Sequence, residues 1–378
     1  MLNSADKLLF TPGPLTTSRT VKEAMLRDLG SRDTEFISTV QLIRKELLEL
    51  GNVSKEAGYE SVIIQGSGSF GIEAVISSAL PADGNLLIVI NGVYGERIAK
   101  MASIHHIPNS RLVFDENEVP DMGAIREELK EDKSITHLAV VHCETTTGII
   151  NPITDIGNLC AEFGVKYIVD AMSSFGAYRV DLAASHIDFL ISSSNKCIEG
   201  VPGFSFVIVK KDSLLACENQ ARTLSLDLYA QWRGLENDGQ FRFTPPTHAI
   251  LAFAQALKEL KKEGGVEGRA LRYQKNYKTL SEGMKALGFI EYLDHANKGY
   301  IITCFHYPDH PAFNFKEFYS SLSDKGFVIY PGKLSKVDCF RIGNIGRITD
   351  TDISNLLSAI KATLITQSIQ LSTSSQKI

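Results

Sequence analysis

From about residue 60 to residue 210, short runs rich in β-branched residues alternate with longer amphipathic stretches. The runs cover 61–65, 86–90, 111–114, 137–142, 166–169, 188–192 and 204–209. Such alternation predicts βαβ units and an α/β fold built on a large, mostly parallel seven-stranded sheet. In open sheets of this kind ligands sit beyond the carboxyl ends of the strands. Gly66-Ser67-Gly68, Asn91 to Tyr94, Glu144-Thr145 and Asp170 each follow one of the runs and fall at that edge.

Beyond Pro245-Pro246 the pattern changes. Helical periodicity runs over 247–263, stops at Gly264-Gly265, and resumes over 268–287 before Gly288. A strand near 300–305, a helix over 315–324, strands over 327–330 and 339–342, and a last helix over 350–365 predict a smaller C-terminal α+β domain. The expected division is an N-terminal segment 1–20, a large domain 21–255 and a small domain 256–378. The end of the last, 366–378, is rich in Ser, Thr and Gln and is expected to fray.

Composition narrows the function. With 378 residues and 44% hydrophobic content, the chain can bury one large core and a smaller second one. A formal net charge of −5 without a sustained Lys/Arg run lacks the footprint of a nucleic-acid binder. Six cysteines without a C-x-x-C pair suit a reducing compartment, and nine histidines without H-E-x-x-H give no zinc pattern, so no metal is expected. No stretch approaches the length of a membrane span and the amino terminus lacks an apolar signal core, so a soluble cytoplasmic protein is expected.

The chemistry concentrates at Lys196, set in Ser192-Ser193-Ser194-Asn195-Lys196-Cys197-Ile198-Glu199-Gly200-Val201-Pro202-Gly203, and at Asp170, which ends the run Tyr167-Ile168-Val169. A lysine that forms a Schiff base needs an unhindered seat, which small hydroxylated neighbours and a Gly/Pro-rich exit supply. An aspartate at a pyridine nitrogen keeps that nitrogen protonated, so the ring can accept electrons from a breaking C–H bond. Together they point to pyridoxal 5'-phosphate. Taken singly, each is more often a surface lysine or a turn-capping aspartate.

Gly66-Ser67-Gly68-Ser69-Phe70-Gly71 also matches the dinucleotide pattern G-x-G-x-x-G. A NAD site would want an acidic residue after the next strand, where this chain has Asn91-Gly92. What survives is generic: small residues at a helix N-terminus present free N–H groups to a phosphate.

With Lys196 and Asp170 in place, the chain resembles the class V, fold-type I aminotransferases over nearly its whole length. The resemblance rests on Phe10-Thr11-Pro12-Gly13-Pro14-Leu15, Ser31-Arg32-Asp33-Thr34, Gln65 to Phe70, Asn91-Gly92-Val93-Tyr94-Gly95-Glu96-Arg97, His142-Cys143-Glu144-Thr145-Thr146-Thr147-Gly148, Asp170-Ala171-Met172, the Lys196 segment, Phe243-Thr244-Pro245-Pro246 and Phe340-Arg341-Ile342-Gly343. It implies a phosphate cradle of Ser67, Gly68 and Ser69, with Asn195 close by and Thr244 reaching in from the second subunit of a homodimer. It further implies Tyr94 stacked on the pyridine ring, Met172 on the opposite face, Thr145 at the 3-oxygen, and Arg341 receiving the substrate's anionic group. Arg32 is a second candidate for that anion. Where family members more often carry Trp-Cys before Ser-Arg-Asp, this chain has Leu29-Gly30.

The implied activity is transfer of the amino group of 2-aminoethylphosphonate to pyruvate in two half-reactions, with Lys196 as acid and base. An alanine:glyoxylate or serine:pyruvate transaminase shares the same residues. A cysteine desulfurase would need a mobile cysteine, for which Cys339, two positions before Arg341 in an expected strand, is a poor candidate. A non-catalytic cofactor-binding protein would have no use for both Lys196 and Asp170.

Overall fold

The computed structural model describes residues 6–294, 296–332, 334 and 337–371. Its largest sheet has the strand order Tyr59–Gln65, Phe204–Lys210, Phe189–Ser193, Lys166–Asp170, Ile135–Val141, Asn85–Ile90, Asn109–Val113. Neighbours pair in parallel except Phe204–Lys210, which runs antiparallel to both of its neighbours. The expected mostly parallel, seven-stranded sheet is therefore present with one reversed strand. That reversal positions the chemistry. Antiparallel neighbours need no crossover helix, so the chain turns back directly after Ser193 and the connecting loop with Lys196 stays at the carboxyl edge, one strand from Asp170.

The central strands are buried along their length, and helices cover the sheet. Several helices start at side chains that satisfy free N–H groups. Asp33 accepts from Glu35 N–H before Thr34–Leu50, and Asp121 from Ala124 N–H before Met122–Glu131. Thr349 and Asp352 form a reciprocal capping box at the start of Asp350–Thr366.

A second core gathers Phe10, Phe289, Phe305, Phe318, Phe340, Ile353 and Ile360. It packs under a three-stranded antiparallel sheet of order Ile302–His306, Cys339–Gly343, Tyr330–Pro331. The sequence pattern predicts one strand over 327–330. Instead, Phe327–Val328 pairs in parallel with Leu8–Leu9, and Tyr330–Pro331 pairs with Cys339–Gly343. A two-residue strand is too short to show a period, so Leu8–Leu9 leaves no pattern in the sequence. It carries Phe10, fully buried, into the second core. At the other end Ile369 also packs there, 5% exposed, while residues 372–378 of the expected frayed tail lie outside the described residues. Among the described residues no helix is long and apolar enough to cross a membrane.

Candidate active site

Lys196 is half-buried, with its amine donating to the carbonyl of Pro12. Burial pulls the amine down to about 8, against the charge of Asp170, which favours the ammonium; the Arg341 guanidinium adds to the depression. Gly13 is what lets the amine sit there. Its φ is +109°, a conformation that favours glycine, and a Cβ on it would lie 2.9 Å from both Cδ and Nζ of Lys196 and 3.0 Å from the Asn195 carbonyl oxygen.

Asp170 ends its strand 5% exposed, with Oδ1 accepting from Met172 N–H at 2.9 Å. Burial raises the carboxyl to about 6, opposed by that hydrogen bond and by the charges of Lys196 and Arg97. Met172 in turn fills the space beside Gly68, where a Cβ would meet its Sδ at 2.4 Å. The sulfur side chain and the first turn of the helix Gly68–Ala79 are thus in contact, and only glycine fits at 68. The Ser67 side chain makes no capping hydrogen bond at that helix start, which leaves first-turn N–H groups available to an anion.

Tyr94 opens the helix Val93–Ile104, and the Arg97 guanidinium lies 4.7 Å from its ring centroid while donating to Ser69 Oγ at 3.2 Å. Glu144 holds this turn from below. Its Oε1 accepts from Gly95 N–H at 3.0 Å and its Oε2 from Tyr94 N–H at 3.4 Å. The carboxyl is fully buried, and burial raises it to about 7.

Arg341, in the strand Cys339–Gly343, is 1% exposed. Nε and Nη2 donate to Pro331 carbonyl oxygen at 3.0 and 2.9 Å, Nη1 donates to the Thr145 carbonyl oxygen at 2.7 Å, and the Tyr330 ring centroid lies 4.9 Å from the guanidinium carbon. Three of its five N–H donors are committed to backbone carbonyls, and two remain. Among the described residues no carboxylate forms an ion pair with it. A buried guanidinium held in place by neutral groups, and lowered in pKa by that burial, is built to receive an anion.

The structure links Asp170, Met172, Gly68, Ser69, Tyr94, Thr145 and Arg341 through these contacts, and the Lys196 amine is coupled to them through the charges of Asp170 and Arg341. Ser67 and half-buried Asn195 adjoin it in the chain. Arg32 and Thr244 are exposed, and among the described residues neither makes a hydrogen bond or ion pair with the set. Thr244 lies near its edge, since Gln65 Nε2 donates to the carbonyls of Phe243 and Thr244 at 2.9 and 3.1 Å. Cys339 is buried, 4% exposed, and none of the six cysteines forms a disulfide. Sequence reasoning gives no role to Gly13, Arg97 or Glu144. Their signals, a glycine between two prolines and charged residues inside otherwise assigned motifs, are present but ambiguous.

Each part of the arrangement fits pyridoxal phosphate. There is an amine whose pKa is lowered by burial, a buried acid at a strand end, an uncapped helix start for the phosphate, and an aromatic ring beside them. The aminotransferase class-V family profile matches residues 17–334. The 2-aminoethylphosphonate–pyruvate transaminases of Salmonella dublin and Salmonella typhimurium are each 54% identical over 365 residues, covering 96% of this chain and 99% of theirs. Among solved structures, the ureidoglycine–glyoxylate aminotransferase of Bacillus subtilis superposes with a TM-score of 0.89 at 23% identity, covering 99% of this chain and 96% of that one. The pyridoxamine–pyruvate aminotransferase of Mesorhizobium loti gives 0.88 at 24% identity, covering 98% and 95%. A profile matched across most of the chain, relatives alike over nearly their full length, and a shared fold place this protein in the class-V aminotransferase family, whose members depend on pyridoxal phosphate.

Proposed function

We propose that this protein transfers the amino group of 2-aminoethylphosphonate to pyruvate, forming phosphonoacetaldehyde and L-alanine. The observation that carries the reading is the buried Arg341 guanidinium, preset by the Pro331 and Thr145 carbonyls and lacking an ion-pair partner among the described residues. Two donors are left for the anionic end of a substrate, a phosphonate in one half-reaction and a carboxylate in the other. The choice of donor is supported by the 54% identity to transaminases named for this reaction.

Bound in the site, pyridoxal phosphate carries the amino group between the substrates and takes up the electron pair left by C–H cleavage. The chain's own groups supply the rest. Lys196 would hold the cofactor through Nζ, and its amine, lowered in pKa by burial, is placed to take a proton from substrate carbon and return it. Asp170 provides negative charge at the ring nitrogen, where a cationic partner would draw its carboxyl below the value of about 6 that burial imposes. Ser67, Gly68, Ser69 and Asn195 would receive the phosphate, Thr145 the 3-oxygen, and Tyr94 and Met172 would flank the ring.

The working unit is read as a homodimer that shares its sites. Phe70, Phe243 and Leu224 are 48%, 44% and 72% exposed around the cradle rim, and a partner subunit would cover such a surface. Thr244 and Arg32, solvent-facing in one chain, then serve the neighbouring site. The large domain is read as extending past 255 to the end of the helix Thr247–Lys262, whose Ala256, Leu257 and Leu260 belong to the first core, and six buried cysteines without a disulfide suit a cytoplasmic setting.

The test is L-alanine formation by purified holoprotein with pyruvate and a panel of donors. 2-Aminoethylphosphonate should exceed L-serine, taurine and other amines at equal concentration. Faster turnover of L-serine or L-alanine with glyoxylate would replace the phosphonate reading with an amino-acid transaminase of the same fold.

A further inference from the structure

One turn of the helix Gly265–Ala286 carries Arg269, Arg272 and Tyr273, which stand three and four positions apart and share a face. That face meets the loop that holds Lys196 on one side and the loop that follows Arg341 on the other. Toward the lysine, Arg269 Nη1 donates to the Cys197 carbonyl, and Glu199 accepts from Arg272 Nη2 and from Tyr273 Oη, each at 2.6 Å. Glu199 N–H closes the turn onto the Lys196 carbonyl at 2.8 Å. Toward the arginine, Arg272 Nη1 donates to the carbonyls of Gly346 and Ile348 at 2.6 and 3.1 Å, and Gly346 N–H donates to Tyr273 Oη at 3.1 Å. The Tyr273 hydroxyl therefore bridges the two loops by itself.

The cluster is balanced and buried. Arg269 and Arg272 each face both Glu199 and Glu263, with Arg269 1%, Glu199 3% and Tyr273 0% exposed. Glu199 adopts φ +67°, a left-handed conformation unusual for a residue with a side chain, and its carboxylate contacts hold it there. Buried ion pairs contribute little net stability compared with apolar packing of the same volume, and their attested use is to fix one geometry.

We infer that the Glu199–Arg269–Arg272–Tyr273 cluster is a positioning device that sets the separation between the Lys196 amine and the Arg341 guanidinium, and so selects the length of the amine donor. This rests on the reading of Lys196 and Arg341 as the two ends of the substrate site. A donor must span from the carbon that loses its proton beside Lys196 to the anionic group on Arg341. A rigid link between the loops that carry them admits one chain length.

The test compares kcat/KM for 2-aminoethylphosphonate and 3-aminopropylphosphonate in the wild-type holoenzyme, Tyr273→Phe and Glu199→Gln, with melting temperature measured alongside. Tyr273→Phe keeps the packing and every charge and removes only the bridging hydroxyl. The preference for the shorter donor should fall at least about tenfold in Tyr273→Phe and further in Glu199→Gln. An unchanged preference in Tyr273→Phe, with or without a lower melting temperature, overturns the inference and leaves the cluster structural. Should Glu199→Gln fail to fold, Tyr273→Phe decides alone. A wild-type enzyme inactive on both phosphonates would count against the proposed function instead, a result distinct from equal preference in enzyme and variant.

Discussion

Arg341 Nη1 donates to the carbonyl oxygen of Thr145 at 2.7 Å, so the guanidinium carried by the three-stranded sheet is fastened to the backbone that follows the strand Ile135–Val141 of the large sheet. The Pro331 carbonyl takes two further N–H groups on the far side. The fork is thereby fixed in plane before any substrate arrives, and its two spare donors point where the carbonyls do not.

Arg341→Lys keeps the charge and loses the plane. An ammonium cannot bond Thr145 and Pro331 together and still present two parallel donors. We expect kcat/KM to fall about a hundredfold for both 2-aminoethylphosphonate and pyruvate. A loss confined to one half-reaction would mean that the two anions use different anchors.

Lys196→Met should abolish turnover and the visible absorbance of the bound cofactor, and should also stabilise the apoprotein at pH 7. The sign follows from burial. The folded amine titrates near 8 and the unfolded one near 10.5, so below pH 8 both are charged and the folded state bears the full cost. That cost is relieved as pH rises from about 8 to 10.5. The variant's advantage, at most about 3 kcal/mol at pH 7, should shrink by pH 10 in denaturant titrations. A variant less stable than wild type at pH 7 would show that the Lys196 amine does not bear this cost.

Much of the fold and of the site is legible in the sequence alone. The β-branched runs mark the sheet because a strand buried along its length must read apolar, and Asp170 and Lys196 stand out because each follows such a run. What the pattern does not carry is pairing. The parallel strand Leu8–Leu9 is two residues long, and its consequence, Pro12 and Gly13 laid against Lys196, depends on a partner more than three hundred residues away. Glu144 is hidden for a similar reason. Its partners, the N–H groups of Tyr94 and Gly95, lie across two strands and a helix start, and a lone carboxylate in a Thr-rich run carries no period.

Gly13→Ala tests that N-terminal contact. At φ +109° an alanine is strained by about 1–2 kcal/mol, and its Cβ would stand 2.9 Å from Lys196 Nζ. The lysine tip must move, so cofactor attachment measured by visible absorbance should weaken at least about tenfold while far-UV dichroism stays unchanged. Normal attachment in the variant would show that the Pro12–Gly13 segment leaves the amine when cofactor binds.

Thr244→Val removes one hydroxyl from an exposed turn of the single chain. If a neighbouring subunit's phosphate cup uses it, cofactor affinity should fall several-fold, by the roughly 1 kcal/mol of a hydrogen bond, with sedimentation still reporting a dimer. Unaltered affinity would confine Thr244 to holding the turn that Gln65 anchors.

Glu144→Gln separates charge from hydrogen bonding at the turn that presents Tyr94. The wild-type carboxyl titrates near 7 in the fold and near 4.5 unfolded. Below 4.5 both states are neutral. Between 4.5 and 7 the unfolded chain releases its proton while the folded one keeps it, so stability falls as pH rises through that window and the full cost is present above 7. Glutamine retains a carbonyl oxygen to accept from Gly95 N–H and never ionises. Moving from pH 5 to pH 8 should therefore favour the variant over wild type by roughly 2 kcal/mol in unfolding free energy. A difference that does not change with pH would mean that the Gly95 and Tyr94 N–H groups, at the positive end of the helix Val93–Ile104, already hold Glu144 ionised throughout.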